Sequence, residues 1–222
     1  MTPRRGRHDL IADTRHDVQA AADYRLLAGL GIRTVREGLR WHLIEQRPGR
    51  YDFASLEPMV RAARETGTQI VWDLFHYGWP DGLDVFSADF ADRFLSFADA
   101  GLRYLRRELD GPLVVCPVNE PSFFSWGAGD HGLFHPFERG RGWELKKILA
   151  RAAIGASRLA RAVDRNAVLI HPDPLVNVAR NPERPELDEA AVGYHRAQWD
   201  GWNLITGRME PELGGDPGLV DF

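Results

Sequence analysis

Four groups of residues able to do chemistry recur along this chain, each directly behind a short apolar run. The first holds Arg36, Glu37, Arg40 and Trp41, and the second Asp73, His76, Trp79 and Asp81. The third is Asn119 and Glu120, and the fourth His171 and Asp173. Carboxyl groups, cationic and amide donors, imidazoles and aromatic faces are thus available together. Cleaving a glycosidic bond needs such a set. A carboxylic acid must protonate the leaving oxygen, and a second carboxylate must stabilise or attack the sugar carbon. Polar groups must take the hydroxyls, and aromatic rings the apolar side of a pyranose. Asn119-Glu120-Pro121 is the sharpest segment: the proline ends the strand and biases Glu120 away from helical geometry, holding the carboxyl at the strand end. Asn119 beside it can hydrogen-bond a hydroxyl. The bland alternative is a loop turn with a solvated glutamate. Trp79, Phe123, Phe124 and Trp126 fit a sugar platform or simple packing equally well.

Alternating strands and helices must position these groups. Arg15 to Gly29 carries Val18, Ala22 and Leu26 at helical spacing and ends in glycines. Thr34 to Glu37 follows as a strand. Ser55 is a candidate N-cap for a helix with Leu56, Met59, Val60 and Ala63 on one face, stopped at Gly67. Gln69 to Phe75 is the next strand. Ser87 is a candidate cap for a helix with Phe90, Phe94, Phe97, Leu102, Leu105 and Leu109 facing inward. Leu113 to Val118 is a strand, and Trp143 to Val163 a long helix facing inward through Ile148, Leu149, Ala152, Leu159 and Val163. Ala167 to His171 is another strand, Asp173 to Leu187 a proline-bearing loop over the mouth, and Leu219-Val220 the start of a last strand.

Strand–helix alternation specifies a parallel sheet, because parallel neighbours need crossovers. Apolar strands fit a sheet covered on both faces. A doubly wound nucleotide binder would show a Gly-rich phosphate loop after a strand, and neither common form occurs. Polar residues gather instead behind several strands, where a (β/α)8 barrel puts its active site. The expected fold class is therefore α/β, of the TIM-barrel type.

Composition narrows the partners. The 222 residues are 44% hydrophobic and 27% charged, with a formal net charge of −4, which is ordinary for one globular domain and gives no basic face for nucleic acid. The basic run Arg4-Arg5-Gly6-Arg7 reads as a solvated tail. Cys116 is the single cysteine, inside an apolar run, so a buried inert thiol is expected, with no disulfide and no cysteine metal cage. No apolar stretch approaches the ~18 residues of a membrane span, and no apolar segment follows the basic N-terminus as in a secretory signal. A cytoplasmic location is the resulting expectation.

Three segments together resemble glycoside hydrolase family 1, the β-glucosidase family, within the retaining clan that carries an Asn-Glu acid/base pair after the fourth barrel strand. Val35-Arg36-Glu37-Gly38-Leu39-Arg40-Trp41 resembles the second-strand motif, and His76-Tyr77-Gly78-Trp79-Pro80 the third-strand motif. Val118-Asn119-Glu120-Pro121 resembles the fourth. The resemblance implies a β-glycoside substrate, no metal and no organic cofactor. It implies Glu120 as acid/base, Asn119 as ligand of the 2-hydroxyl, His76 as ligand of another hydroxyl and Arg36 as the cation orienting the carboxylates. His76 also fits a hydrogen-bonded loop histidine, and Arg36 an ion-pair partner of Asp73 or Glu37.

Departures accompany the likeness. The His-Asn pair that usually follows on the next helix has no counterpart in Trp143 to Val163, and His171-Pro172-Asp173-Pro174 has no role by analogy. Counted against the family, the chain holds about strands two to six of the barrel in one partial domain, 1–222. Met1 to Asp13 is too charged for a first strand. The family's nucleophile, a glutamate ending strand seven, has no counterpart; Glu210 and Glu212 precede the last strand and fit poorly. Little turnover by this chain alone is expected, with self-association or a complementing half closing the open edges. Two other readings stay open: a noncatalytic carbohydrate-binding remnant, and a barrel lyase or aldolase. The latter would want a Schiff-base lysine, but Lys146 and Lys147, the only lysines, lie on a predicted helix.

Overall fold

A computed structural model describes residues 6–220. Two helices, α1 (Leu10–Asp13) and α2 (His16–Gly29), lead into strand β1 (Thr34–Gly38). Helix α3 (Trp41–Ile44) and a small hairpin, β2 (Glu45–Arg47) and β3 (Arg50–Tyr51), precede α4 (Glu57–Thr66) and β4 (Gln69–Asp73). Then come α5 (Asp89–Glu108), β5 (Val114–Cys116), α6 (Pro121–Phe124), α7 (Gly142–Val163) and β6 (Val168–Leu169). Helices α8 (Asp188–Ala197) and α9 (Asp200–Ile205) follow.

Strands β1, β4, β5 and β6 form one parallel sheet in that order. The register pairs Val35 with Ile70, Val71 with Val114, and Val115 with Leu169. The four runs read from the sequence around Val35, Val71, Val114 and Leu169 are therefore parallel neighbours. Alternation along each strand sorts the side chains into two faces. Ile70, Trp72, Val115 and Leu169 join the main core beneath the helices, while Val71, Val114 and Cys116 form a separate buried cluster on the other face. Arg36 and Asp73 share that second face, since they pair with Val71 and Cys116. Sheet polarity thus delivers polar groups from successive strand ends to one side.

The helix layer follows from aromatic spacing. Phe90, Phe94, Phe97, Leu102 and Leu105 recur at three to five residues along α5 and are fully buried, with Asp89 and Asp92 in its first turn and Arg106 and Arg107 in its last, each sign complementing the helix dipole. Gly67 closes α4 in the left-handed conformation, φ +66°, which costs a residue without Cβ nothing. Helix α2 packs on α4, and α5 on α7. No helix among the described residues is long and apolar enough to cross a membrane.

Several local expectations are corrected. Val18 and Leu26 are 73% and 67% exposed, and the buried face of α2 is Ala20 and Tyr24 instead. Neither Ser55 nor Ser87 caps a helix. Asp52 and Asp84, each three residues upstream, accept the N–H of Ala54 and Phe86 in Asx turns, and the helices start beyond them. Ile148, Leu159 and Val163 are only half-buried, because α7 meets its neighbours through Leu145, Leu149 and a row of alanines. Leu219-Val220 starts no strand: Pro217–Leu219 is a 3-10 turn, whose Asp216 side chain accepts from Gly218 N–H. The parallel sheet therefore has four strands among the described residues, not five. Arg4 and Arg5 lie outside the described residues. Arg7 is no solvated tail residue, since its guanidinium donates to Trp79 O at 2.7 Å and Asp81 Oδ1 at 2.6 Å.

Tyr24 turns inward because its hydroxyl finds Glu37 Oε1 at 2.7 Å, a carboxylate on the helix side of β1. His16 bridges the same Glu37, at 2.9 Å, to Asp23, at 2.6 Å. Burial lowers the His16 pKa, but bonds to Asp23 and Glu37 outweigh it and the net shift is upward. A histidine with a raised folded pKa contributes stability that is complete below its unfolded pKa, about 6.5, and is lost as pH rises through the folded value. His16→Gln is therefore expected to destabilise by roughly 1–3 kcal/mol at pH 6 and by distinctly less at pH 9. Thermal melts at the two pH values check this, and an equal loss at both would exclude a charged His16.

Candidate active site

Arg36, on β1, donates from Nε to Asp73 Oδ1 at 3.1 Å and from Nη2 to Asp73 Oδ2 at 2.7 Å. Asp73 ends β4 and is almost fully buried, so this fork fixes both groups. His76, one turn of loop beyond, places Nδ1 2.8 Å from Asp73 Oδ2. Arg36 Nη2 also reaches Asn119 Oδ1 at 2.7 Å, leaving Asn119 Nδ2 to face His76 Nε2 at 3.3 Å. One assignment satisfies the ring of contacts: His76 neutral, its proton on Nδ1 toward Asp73, and Nε2 accepting from the amide. Of the two readings of Arg36, the Asp73 ion pair is present, and Glu37 is engaged elsewhere.

Glu120 completes the group. Its backbone is left-handed, φ +43°, and Tyr77, also left-handed at φ +62°, donates its hydroxyl to Glu120 Oε2 at 2.6 Å. Burial, then the adjacent Glu120 carboxylate, raises the Tyr77 pKa far above the usual phenol range, so Tyr77 remains a donor at any working pH. Arg36, His76, Asn119 and Glu120 thus converge at the C-terminal ends of three adjacent parallel strands. Tyr77 was missed as the partner of Glu120; its only sequence signal is its position beside His76.

Cys116 lies beneath, 3.6 Å from Arg36 Nη2, and burial raises its thiol pKa strongly, as an inert buried thiol requires. Asp173, four residues beyond the end of β6, accepts the Ser122 N–H at 3.1 Å to Oδ1 and 3.3 Å to Oδ2. Burial lifts its pKa to about 6, against the opposing effect of those bonds. Lys146 pairs with Asp200 at 3.0 Å, which ties up that candidate Schiff-base amine.

The aromatic platform divides. Trp79 is 3% exposed, packed against Phe75, Phe90 and Phe124, with its indole N–H on Leu83 O at 2.8 Å. An indole buried by its need for that acceptor offers no face to a sugar, so Trp79 is removed from the site. Phe124 is also buried in the core. Trp126 is 37% exposed and stands beside Phe123, ring centroids 5.9 Å apart. Both line a cavity of about 560 Å³ together with Trp143, Tyr194 and, from the loop over the mouth, Pro174 and Val176. This volume suits a small organic ligand. The cavity opens beside the Glu120 constellation rather than within it, and joins it through Ser122 and Phe123, which directly follow Glu120-Pro121.

No family model matches the sequence, and no curated protein matches it. Solved structures do. The AHE enzyme from Alicyclobacillus herbarius aligns over 93% of this chain and 49% of its own, with 18% identity and a TM-score of 0.70. A family 1 β-glucosidase from Thermotoga maritima aligns over 89% of this chain and 48% of its own, at 17% identity and TM-score 0.71. A Thermotoga maritima β-glucosidase in complex with glucoimidazole aligns over 69% and 37%, at 18% identity and TM-score 0.62. At such identities the likeness establishes the fold. This chain spans about half the length of the first of these structures, and its parallel sheet with crossover helices has the α/β fold of part of them, as an incomplete barrel would.

Proposed function

We propose that residues 1–222 form a single partial barrel domain that carries the acid/base half of a retaining β-glycoside hydrolase site. The observation that supports this reading is the hydrogen-bonded frame of Arg36, Asp73, His76 and Asn119 at neighbouring strand ends, with Glu120 next in the chain and its carboxyl held by Tyr77 from the His76 loop. Glu120 protonates the departing oxygen and later activates water. Asn119 and His76 take hydroxyls of the sugar, and Arg36 holds the Asp73–Asn119 frame in place. The second carboxylate, which forms the glycosyl-enzyme, comes in this reading from barrel strands beyond the four described. The exposed stripe on α2 and the edges of β1 and β6, which pair with no further strand among the described residues, are where those strands and their helices would dock.

The cavity walled by Phe123, Trp126 and Trp143 receives the leaving-group side of the substrate. Trp126→Ala is then expected to raise KM for an aryl glycoside by about 3–10-fold with kcat nearly unchanged, the signature of lost uniform binding. Steady-state kinetics of a protein that carries the whole barrel, with nitrophenyl and methyl glycosides, check it; an unchanged KM for both removes Trp126 from the site.

Calorimetric titration of the purified protein with glucoimidazole tests the function itself. Saturable binding is expected, weakened by roughly tenfold or more in Asn119→Ala and His76→Ala, each of which removes a polar contact to the sugar in this reading. Absence of binding, or binding indifferent to both substitutions, overturns the proposal.

A further inference from the structure

Glu120 stands on backbone that an L-residue rarely adopts, and left-handed geometry at such a position is strained unless its surroundings hold it. Two contacts from the segment after β6 hold it there. Glu120 N–H donates to Pro172 O at 3.1 Å, and Ser122 N–H to the Asp173 carboxyl at 3.1 Å. Glu120 occupies the cap position of α6, yet its side chain makes no cap bond. At an ordinary helix start the capping side chain accepts a first-turn N–H itself. Here Asp173 does so from another strand end, which releases the Glu120 carboxyl to face elsewhere.

That carboxyl is in turn taken by Tyr77. The phenol ring is stacked on Phe124, centroids 4.7 Å apart and 14° between planes, and on Phe134 at 6.0 Å and 10°. A ring held by two aromatic neighbours that also pack on each other, centroids 5.6 Å apart, keeps its hydroxyl in one place, 2.6 Å from Glu120 Oε2. Two left-handed non-glycine residues from different strand ends therefore meet through one short hydrogen bond. Gly201 supports the other contact, because a Cβ there would overlap Asp173 Oδ2.

We infer that Tyr77 and Asp173 are positioning residues for Glu120, Tyr77 fixing its carboxyl and Asp173 fixing the turn on which it stands. The catalytic consequence rests on the acid/base reading of Glu120; the positioning itself does not. With Oε2 committed to Tyr77, Oε1 is the atom left to exchange a proton with the substrate. Burying the Asp173 carboxyl costs stability, and that cost is explained if the turn must be held independently of Glu120.

The test uses nuclear magnetic resonance on the protein labelled with ¹³C-carboxyl glutamate and ¹⁵N, with the Glu120 signal assigned by its loss in Glu120→Gln. Tyr77→Phe, which keeps the ring, is expected to move the Glu120 carboxyl resonance at fixed pH. The Ser122 amide of the unaltered protein is expected to titrate with a midpoint of about 6, and to stop titrating in Asp173→Asn. Other ionisable groups around Asp173 are Lys146 on α7, paired with Asp200 on α9, then Tyr77, Glu120 and His171. Asp173→Asn separates them from Asp173. In a hydrolysis assay of a protein that carries the whole barrel, Tyr77→Phe and Asp173→Ala, which removes the acceptor of the Ser122 N–H, should each lower kcat about tenfold on alkyl glycosides with little change in KM, and Tyr77→Phe should have no further effect in a Glu120→Gln background. A Glu120 resonance indifferent to Tyr77→Phe, with a Ser122 amide indifferent to Asp173, overturns the inference. Resonances that move in a protein that carries the whole barrel yet shows no glycoside turnover support the positioning and count against the glycosidase reading.

Discussion

Glu120→Gln, in a protein that carries the whole barrel, is expected to lower turnover of alkyl β-glycosides by roughly 10²–10⁴-fold and that of dinitrophenyl glycosides far less. The difference follows from where the proton is needed. An alkoxide is a poor leaving group and must be protonated as its bond breaks, whereas a dinitrophenolate departs without help. Glutamine keeps the size of the side chain and can still accept from Tyr77, whose hydroxyl lies 2.6 Å from Oε2, so the geometry survives while the exchangeable proton is lost. KM should change little, because the missing interaction belongs to the transition state. Kinetics across a series of leaving groups measure this directly. Equal losses on good and poor leaving groups would assign Glu120 a binding or structural role.

Asp173→Asn is expected to stabilise the fold above pH 6 and to leave it nearly unchanged at pH 4. The half-buried Asp173 carboxyl has its pKa raised to about 6, principally by burial. A carboxyl raised above its unfolded value of about 3.9 favours the folded state most when protonated. Its contribution is complete below about pH 4 and is lost as pH rises through about 6. The ionised form then costs roughly 2–3 kcal/mol relative to solvent, on the scale of 1.36 kcal/mol per pKa unit. Asparagine carries no such cost and still accepts the Ser122 N–H. Subtracting urea-denaturation free energies of the two proteins at each pH isolates this group from other carboxyls. A flat difference between pH 4 and pH 8 would contradict a buried, protonatable Asp173.

Much of this arrangement is readable from the sequence for local reasons. Arg36, Asp73, Asn119 and Glu120 each lie on or just past an apolar strand, and parallel strands deliver their ends to one side. The α5 face is legible because buried phenylalanines at helical spacing admit few alternatives. What escapes reading depends on partners distant in sequence. Tyr24 turns α2 by bonding Glu37, thirteen residues on, so the simple apolar stripe through Val18 and Leu26 points outward. Trp79 goes inside because its indole N–H finds Leu83 O. Tyr77 and Asp173 escape for a similar reason. Left-handed backbone at a non-glycine residue has no compositional mark, and Asp173 reaches Ser122 across fifty-one positions.

The most direct measurement is a crystal structure of the protein with glucoimidazole. Its fused imidazole sets a ring nitrogen where the exocyclic oxygen of a glycoside would stand. The expected result is the sugar ring at the C-terminal ends of β1, β4 and β5, with Glu120 Oε1 within about 3 Å of that nitrogen and with His76 and Asn119 on hydroxyls. An inhibitor bound away from these strand ends, or seated there with Glu120 turned from the ring nitrogen, would contradict the assignment of Glu120 as the acid/base.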